Sequence, residues 1–324
     1  MEIIICTYNN AMLLDRTLSA IAAQTVDQNH HWSVLVVDNN CTDETAAVVE
    51  QHQQSQKIPG LRRIVEPKQG QTHARICGIH NTTSEWIAFV DDDCRLAEDW
   101  VEKAIQFAAS HPGCGAFGGK VLLDWETPPS PELIKNSASF AACDRGNTSK
   151  LLDQRTFHIP GAGLVIHRTA LEQSGWLDQQ FLVGREGNTL TSGDDSEIVL
   201  RIRNAGYELW YTPDCILHHF IPNRRMSEAY LARLTYGLGV AAPYLAGLRW
   251  RQSYSLWMAI SLIRIFKYSL EAIVSAIHAI INSSQKSEAL IKWQWARGQI
   301  DGMVNILRMC DQTRNAWVGL FKSW

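Results

Sequence analysis

The chain has 324 residues, of which 46% are hydrophobic and 19% charged, which excludes a disordered or low-complexity protein and leaves room for one large folded unit or two smaller ones. The formal net charge of −3 hides an asymmetry, because residues 1–225 carry 19 basic against 28 acidic side chains and residues 226–324 carry 11 against 5. The acidic front excludes broad nucleic-acid binding by that part, while the basic, Trp-containing tail suits an anionic surface such as a membrane.

Ile3-Ile4-Ile5-Cys6 reads as a buried strand, and residues 13–23 have helical apolar spacing. Val34-Leu35-Val36-Val37 reads as a second strand. Residues 43–53 form a helix capped by Thr42 or Asp43. Arg63-Ile64-Val65 is a short third strand, residues 72–81 a helix, residues 86–90 a strand and residues 96–110 a further helix. Continuous apolar strands separated by helices predict a mostly parallel sheet covered on both faces, an α/β architecture. Beyond it, residues 116–123 read as a strand, the proline-rich stretch 127–131 as a loop, 161–166 as a glycine-containing strand near a ligand, 196–205 as a helix and 207–211 as a strand. The division expected is a catalytic unit over 1–225 and a helical region over 226–324.

In that tail a long helix is predicted over 253–282. Ser261, Arg264, Lys267, Glu271, Ser275, His278 and Asn282 form one polar stripe on it, and the rest is apolar. Such a helix packs on the catalytic unit or on a partner subunit, as in a homo-oligomer, or lies in a membrane plane with Arg249, Trp250, Arg251 and Trp257 at headgroup level. No apolar stretch reaches the length of a spanning helix, and the start of the chain carries no basic segment of a secretory signal. None of the eight cysteines forms a C-x-x-C pair, so neither a zinc site nor a thioredoxin-like motif is indicated, and a reducing compartment fits.

Polar residues cluster where the strands end: Thr7-Tyr8-Asn9, Asp38-Asn39-Asn40 and Asp91-Asp92-Asp93. Ligands of open α/β sheets bind beyond those ends. Three consecutive aspartates repel one another, and a divalent cation would neutralise them; oxygen ligands suit Mg²⁺ or Mn²⁺. A helix cap or solvated turn gives the same triplet without a metal. Gly70-Gln71-Thr72-His73-Ala74-Arg75 offers a turn, a helix start and an Arg for an anionic phosphate. Gly193-Asp194-Asp195-Ser196-Glu197 is what N-capping alone produces, or it aims a general base into a cleft.

Those pieces, with Ile5-Cys6 before the first, Cys41-Thr42-Asp43-Glu44-Thr45, Gly78-Ile79, Pro160-Gly161-Ala162-Gly163, Arg201 and His219-Phe220-Ile221-Pro222, follow an order over about residues 2–225 that resembles glycosyltransferase family 2. The resemblance implies the GT-A fold, a Rossmann-like, mostly parallel sheet, here followed by a C-terminal helical region. It implies metal-dependent, inverting transfer of one sugar, of hexosyl type, from a nucleotide-diphosphate sugar to a hydroxyl of a saccharide or lipid-linked acceptor in cell-surface polysaccharide synthesis. By that resemblance Thr7, Tyr8, Asn9 and Asp38 would hold the nucleoside with Arg75 close by. Asp91 and Asp92 would bind the donor, Asp93 and His219 a Mn²⁺ or Mg²⁺ ion, and Asp195 would be the catalytic base.

Three positions depart from the family pattern. Ile76 replaces the usual Asn after Ala74-Arg75, and Asp194-Asp195 replaces the common Glu-Asp pair. Ala246 stands where the Gln-x-x-Arg-Trp signature of processive synthases, here ending in Arg249-Trp250, needs its Gln. Single sugar addition is therefore expected, by a cytoplasmic enzyme peripheral to the inner face of the cell membrane. Two competing expectations are a catalytically silent scaffold and a nucleotidyltransferase, which would need a glycine- and basic-rich phosphate loop that Thr7-Tyr8-Asn9-Asn10 does not provide.

Overall fold

The computed structural model describes residues 1–153, 158–185, 187, 190–281 and 286–320. The chain begins with β1 (Glu2–Thr7), α1 (Ala11–Ala22), β2 (Ser33–Asp38), α2 (Thr45–Ser55), β3 (Arg62–Val65), α3 (Gln71–His80) and β4 (Trp86–Phe89). In β1 and β2 nearly every residue is buried, as in parallel strands covered on both sides. Leu13, Leu14, Leu18 and Ile21 give α1 one apolar face. At α2 neither Thr42 nor Asp43 is the cap residue. Glu44 is, and Asp43 accepts hydrogen bonds from the amides of Thr45 and Ala11 one step earlier.

The chain continues through β5 (Cys94–Leu96), α4 (Trp100–Ser110), β6 (Cys114–Trp125), α5 (Pro131–Lys135), β7 (Lys150–Leu151), β8 (Leu164–His167), α6 (Arg168–Gln173), α7 (Asp194–Asn204) and β9 (Glu208–Ile221). The sheet order is β3-β2-β1-β4-β8-β6-β9-β5, with β7 paired to β9. Pairing is parallel from β3 to β4 and between β6 and β9, and antiparallel at β8, β5 and β7. Right-handed crossovers place α1 and α2 on one face and α3 on the other. The strand order therefore reverses between β1 and β4, which is where an open α/β sheet leaves a crevice.

Two differences from the local pattern matter for the site. The helix expected from residue 96 starts only at Trp100, because Cys94–Leu96 pairs with His219–Leu217 of β9. The strand expected to end at 211 runs on to Ile221. Pro213 is absorbed where the register with β6 shifts, between the Gly118–Tyr211 and Lys120–Ile216 pairs.

Helices α8 (Glu228–Leu248), α9 (Tyr254–Ile281), α10 (Lys286–Arg308) and α11 (Asp311–Gly319) complete the chain. Leu200 of α7 joins Ala241, Tyr244, Leu248, Trp257, Ile306 and Trp317 in one apolar cluster, while Ile198, Val199 and Ile202 of the same helix belong to the sheet core. Thus α7 is clamped between sheet and helical tail. On α9 the stripe splits: Ser261 and Ser275 are buried with Trp257, Ala272 and Ala279, and Leu262, Ile263, Phe266, Leu270, Ile273, Ile277 and Ile280 face outward. Asn282 lies outside the described residues. Among the described residues no helix is long and apolar enough to cross a membrane.

Candidate active site

A cavity of about 320 Å³ opens beyond the carboxyl ends of β1 and β4. Thr7, Tyr8, Arg75, Asp91, Asp92, Asp93, Asp195 and His219 all line it, although they are spread over more than two hundred residues of chain. Asn9 and Asp38 are not part of that lining. Asn9, at φ 48°, accepts from the Thr42 amide, and Asp38 is braced by the Cys41 amide and by Arg63 at 2.6 Å. Both side chains shape the loops around the cavity mouth.

Within the acidic triplet Asp92 and Asp93 have different partners. Asp92 accepts from Thr7 Oγ1 at 2.6 Å and Asn10 Nδ2 at 2.8 Å, tying the triplet to the end of β1. Burial and then the neighbouring Asp93 charge push the Asp92 carboxyl up to about 7. Asp93 faces His219 Nε2 at 3.3 Å and Arg225 Nη1 at 2.7 Å. Burial alone would raise Asp93, but His219 and Arg225 outweigh it and hold the carboxyl well below the usual carboxylate range. His219 reaches this point because β9 pairs Cys94 with His219, and strand alternation turns His219 inward and His218 to the other face. Its Nδ1 meets the Phe140 carbonyl at 2.9 Å, so Nδ1 carries the proton in the neutral ring and Nε2 is left for the Asp93 side.

Ligand atoms of Asp91, Asp93 and Cys94 lie within 4.8 Å of one another. Burial pushes the Cys94 thiol well above its ordinary range, and a soft sulfur is a poor match for Mn²⁺ or Mg²⁺. What remains of that group, the Asp91 and Asp93 carboxylates, is an oxygen donor pair that fits Mn²⁺ or Mg²⁺, and the His219 imidazole lies beside Asp93.

Across the cavity, Asp195 sits in the first turn of α7, after Gly193 at φ 108°. Its Oδ2 accepts from the Gly161 amide at 2.8 Å and its Oδ1 from the Ser196 amide at 2.7 Å. These bonds fix the position of the carboxylate at the helix N-terminus. Asp194, which also lines the cavity, pairs with the buried Arg75 guanidinium at 2.5 Å. Arg75 also lies over the Phe89 ring, 5.1 Å from its centroid. Gly161 makes this possible, because a Cβ there would approach Arg75 Nη2 to 2.6 Å. Behind them Glu197 accepts from the Phe181 and Leu182 amides, and Arg201 donates to the carbonyls of Ser174 and Gly175 and to Glu197 at 3.0 Å. This buried pair fastens residues 174–182 to α7. Arg201→Ala leaves Glu197 uncompensated and lowers stability by about 3–5 kcal/mol, measurable by urea denaturation; a loss within 1 kcal/mol, roughly the worth of an exposed pair, contradicts the assignment.

Two of the amides that open α3 are already engaged. Gly70 N donates to Asn39 Oδ1 and Gln71 N to the Arg185 carbonyl. The cavity's other cations are Arg185, Arg224 and Arg225, which the sequence reading did not single out. Arg224 and Arg225 directly follow the His219-Phe220-Ile221-Pro222 stretch, which was the available signal.

The Glycosyl transferase family 2 profile matches residues 2–175. The chain belongs to glycosyl transferase family 2. Glycosyltransferase AglE of Haloferax volcanii is 27% identical over 277 residues, 84% of this chain and 80% of that protein. The succinoglycan biosynthesis protein ExoM of Rhizobium meliloti is 25% identical over 238 residues, 74% of this chain and 72% of that protein. Mannosyltransferase PcManGT from Pyrobaculum calidifontis, solved with GDP-Man and Mn²⁺, superposes with a TM-score of 0.59 at 18% identity, covering 94% of this chain and 87% of that one. S. aureus TarS 1-349 with UDP-GlcNAc gives 0.51 at 16% identity, covering 74% of this chain and 65% of that one. This family 2 protein is a nucleotide-sugar glycosyltransferase with an α/β GT-A-type fold, similar to enzymes of polysaccharide biosynthesis.

Proposed function

We propose that this glycosyltransferase moves one sugar by a single in-line displacement with inversion, using Asp195 as base. The observation that carries the reading is that Asp195, fixed by two backbone amides, opens into the same cavity as Asp93 and His219. Asp195 takes the proton of the acceptor hydroxyl, whose oxygen bonds to the anomeric carbon. The bond from that carbon to the diphosphate breaks, and the nucleoside diphosphate leaves. Thr7, Tyr8 and Asp91 border the nucleoside, with Asn9, Asp38 and Asp92 holding the surrounding loops. Arg75 keeps Asp194 in place beside the base. Arg185, Arg224 and Arg225 face the diphosphate, and Asp91, Asp93 and His219 Nε2 are the groups that would hold Mn²⁺ or Mg²⁺. A bound divalent ion supplies charge neutralisation at the leaving diphosphate. The anomeric configuration of the product, read by proton NMR, is expected to be opposite to that of the donor; retention contradicts the mechanism.

The acceptor is a saccharide or lipid-linked saccharide, and the tail brings the enzyme to the inner membrane face. The outward residues of α9 form an apolar face, and Arg203, Arg249, Arg251 and Arg264 gather near its start. Burial, then the Arg264 charge, lowers the Arg249 pKa. Binding to phosphatidylglycerol vesicles is expected to fall at least about tenfold in the double variant Phe266→Glu, Ile273→Glu. Wild-type protein that stays off the vesicles contradicts the membrane reading. A vesicle-free dimer that the double variant splits points instead to a second copy on this face.

A further inference from the structure

A second cavity, of about 290 Å³, lies between the helical tail and the turn that orients His219. Its walls include Asn136, Thr235 of α8, Tyr268 and Glu271 of α9, and Trp295 of α10. The Tyr268 and Trp295 rings meet edge to face, with centroids 6.3 Å apart. Thr235 is 7% exposed, and its Oγ1 is buried without a hydrogen-bond partner among the described residues. A buried hydroxyl left unbonded costs free energy, and because Thr235 lines the cavity, a χ1 rotation toward it would let a ligand hydroxyl satisfy the group. Aromatic faces beside a carboxylate, an amide and a hydroxyl match a pyranose, which has an apolar face of C–H groups and a rim of hydroxyls.

The two cavities adjoin. Ser139 lines both, and the neighbouring residues Leu234 and Thr235 line the catalytic and the second cavity respectively. Ser139 also precedes Phe140, whose carbonyl holds His219. A saccharide chain seated here would extend toward the catalytic cavity on the Ser139 side.

We propose that the second cavity is an acceptor subsite that takes one pyranose ring of a saccharide acceptor. The proposal rests on the glycosyl-transfer reading above, and the test separates the two. The probes are the methyl pyranosides of glucose, galactose, mannose and N-acetylglucosamine at millimolar concentration. They are observed by saturation-transfer NMR on the full chain, with nucleoside diphosphate binding measured alongside. At least one pyranoside is expected to bind. Trp295→Ala should weaken it by about tenfold or more, and Thr235→Val, which keeps the side-chain shape, by about three- to tenfold. Nucleotide affinity should not change in either variant. If no pyranoside binds while the nucleotide does, or if binding survives both substitutions, the subsite is refuted and the transferase reading stands. Failure of wild-type protein to bind any nucleoside diphosphate strikes the transferase reading itself, and pyranoside binding that persists there still supports the subsite.

Discussion

Asp195→Ala is expected to lower turnover by about 10²–10⁴-fold, the usual worth of a positioned general base, while nucleoside diphosphate affinity stays within about twofold of wild type. Alanine is the cleaner substitution here. Both Asp195 oxygens accept backbone amide protons, so asparagine would set its own N–H₂ against the amide of Gly161 or Ser196. The neighbouring carboxylate gives the control. Asp194→Ala strands the Arg75 guanidinium, which is 3% exposed, so its main effect is a stability loss of about 3–5 kcal/mol. The two adjacent aspartates thus separate into one that fails in turnover and one that fails in urea. An Asp195→Ala enzyme with near-normal turnover removes it as the base.

Asp93→Ala is expected to abolish metal-stimulated transfer, with a fall of at least about 10²-fold, comparable to losing a main electrostatic stabiliser of a leaving group. Added Mn²⁺ does not restore it. The reason is local. Asp93 is the carboxylate shared by His219 and Arg225, and without it the site loses a carboxylate ligand and the buried Arg225 charge loses its partner. A variant whose rate still rises with Mn²⁺ places the metal elsewhere.

Much of this was legible in the sequence for a definite physical reason. Parallel strands buried on both faces leave unbroken runs such as Ile3-Ile4-Ile5 and Val34-Leu35-Val36-Val37, and the sheet delivers whatever follows them to one edge. Thr7, Asp91 and Asp93 were readable in this way. The short strand Cys94–Leu96 was not, because it is made by pairing with His219–Leu217, more than a hundred residues away, and its own residues continue a helical pattern. The same pairing explains why His219 comes to face Asp93, which periodicity alone could not tell. Arg225 looked like any surface arginine until β9 carried it back over the triplet. On α9 the spacing predicted the helix, but the expected single polar stripe splits between a buried and an exposed face, and the sequence does not say which flank packs. Small residues Ser261, Ala272 and Ser275 took the inner face and the large apolar ones were left outside.

The most direct test of the central claim, that the cavity beyond β1 and β4 is a nucleotide-sugar donor site, is calorimetric titration with UDP, GDP, dTDP and CMP. Each is run with and without Mn²⁺, on wild type and on Asp93→Ala. One nucleotide is expected to bind in a metal-dependent manner, with the metal dependence lost in the variant. Absence of binding by all four, in both conditions, contradicts the claim.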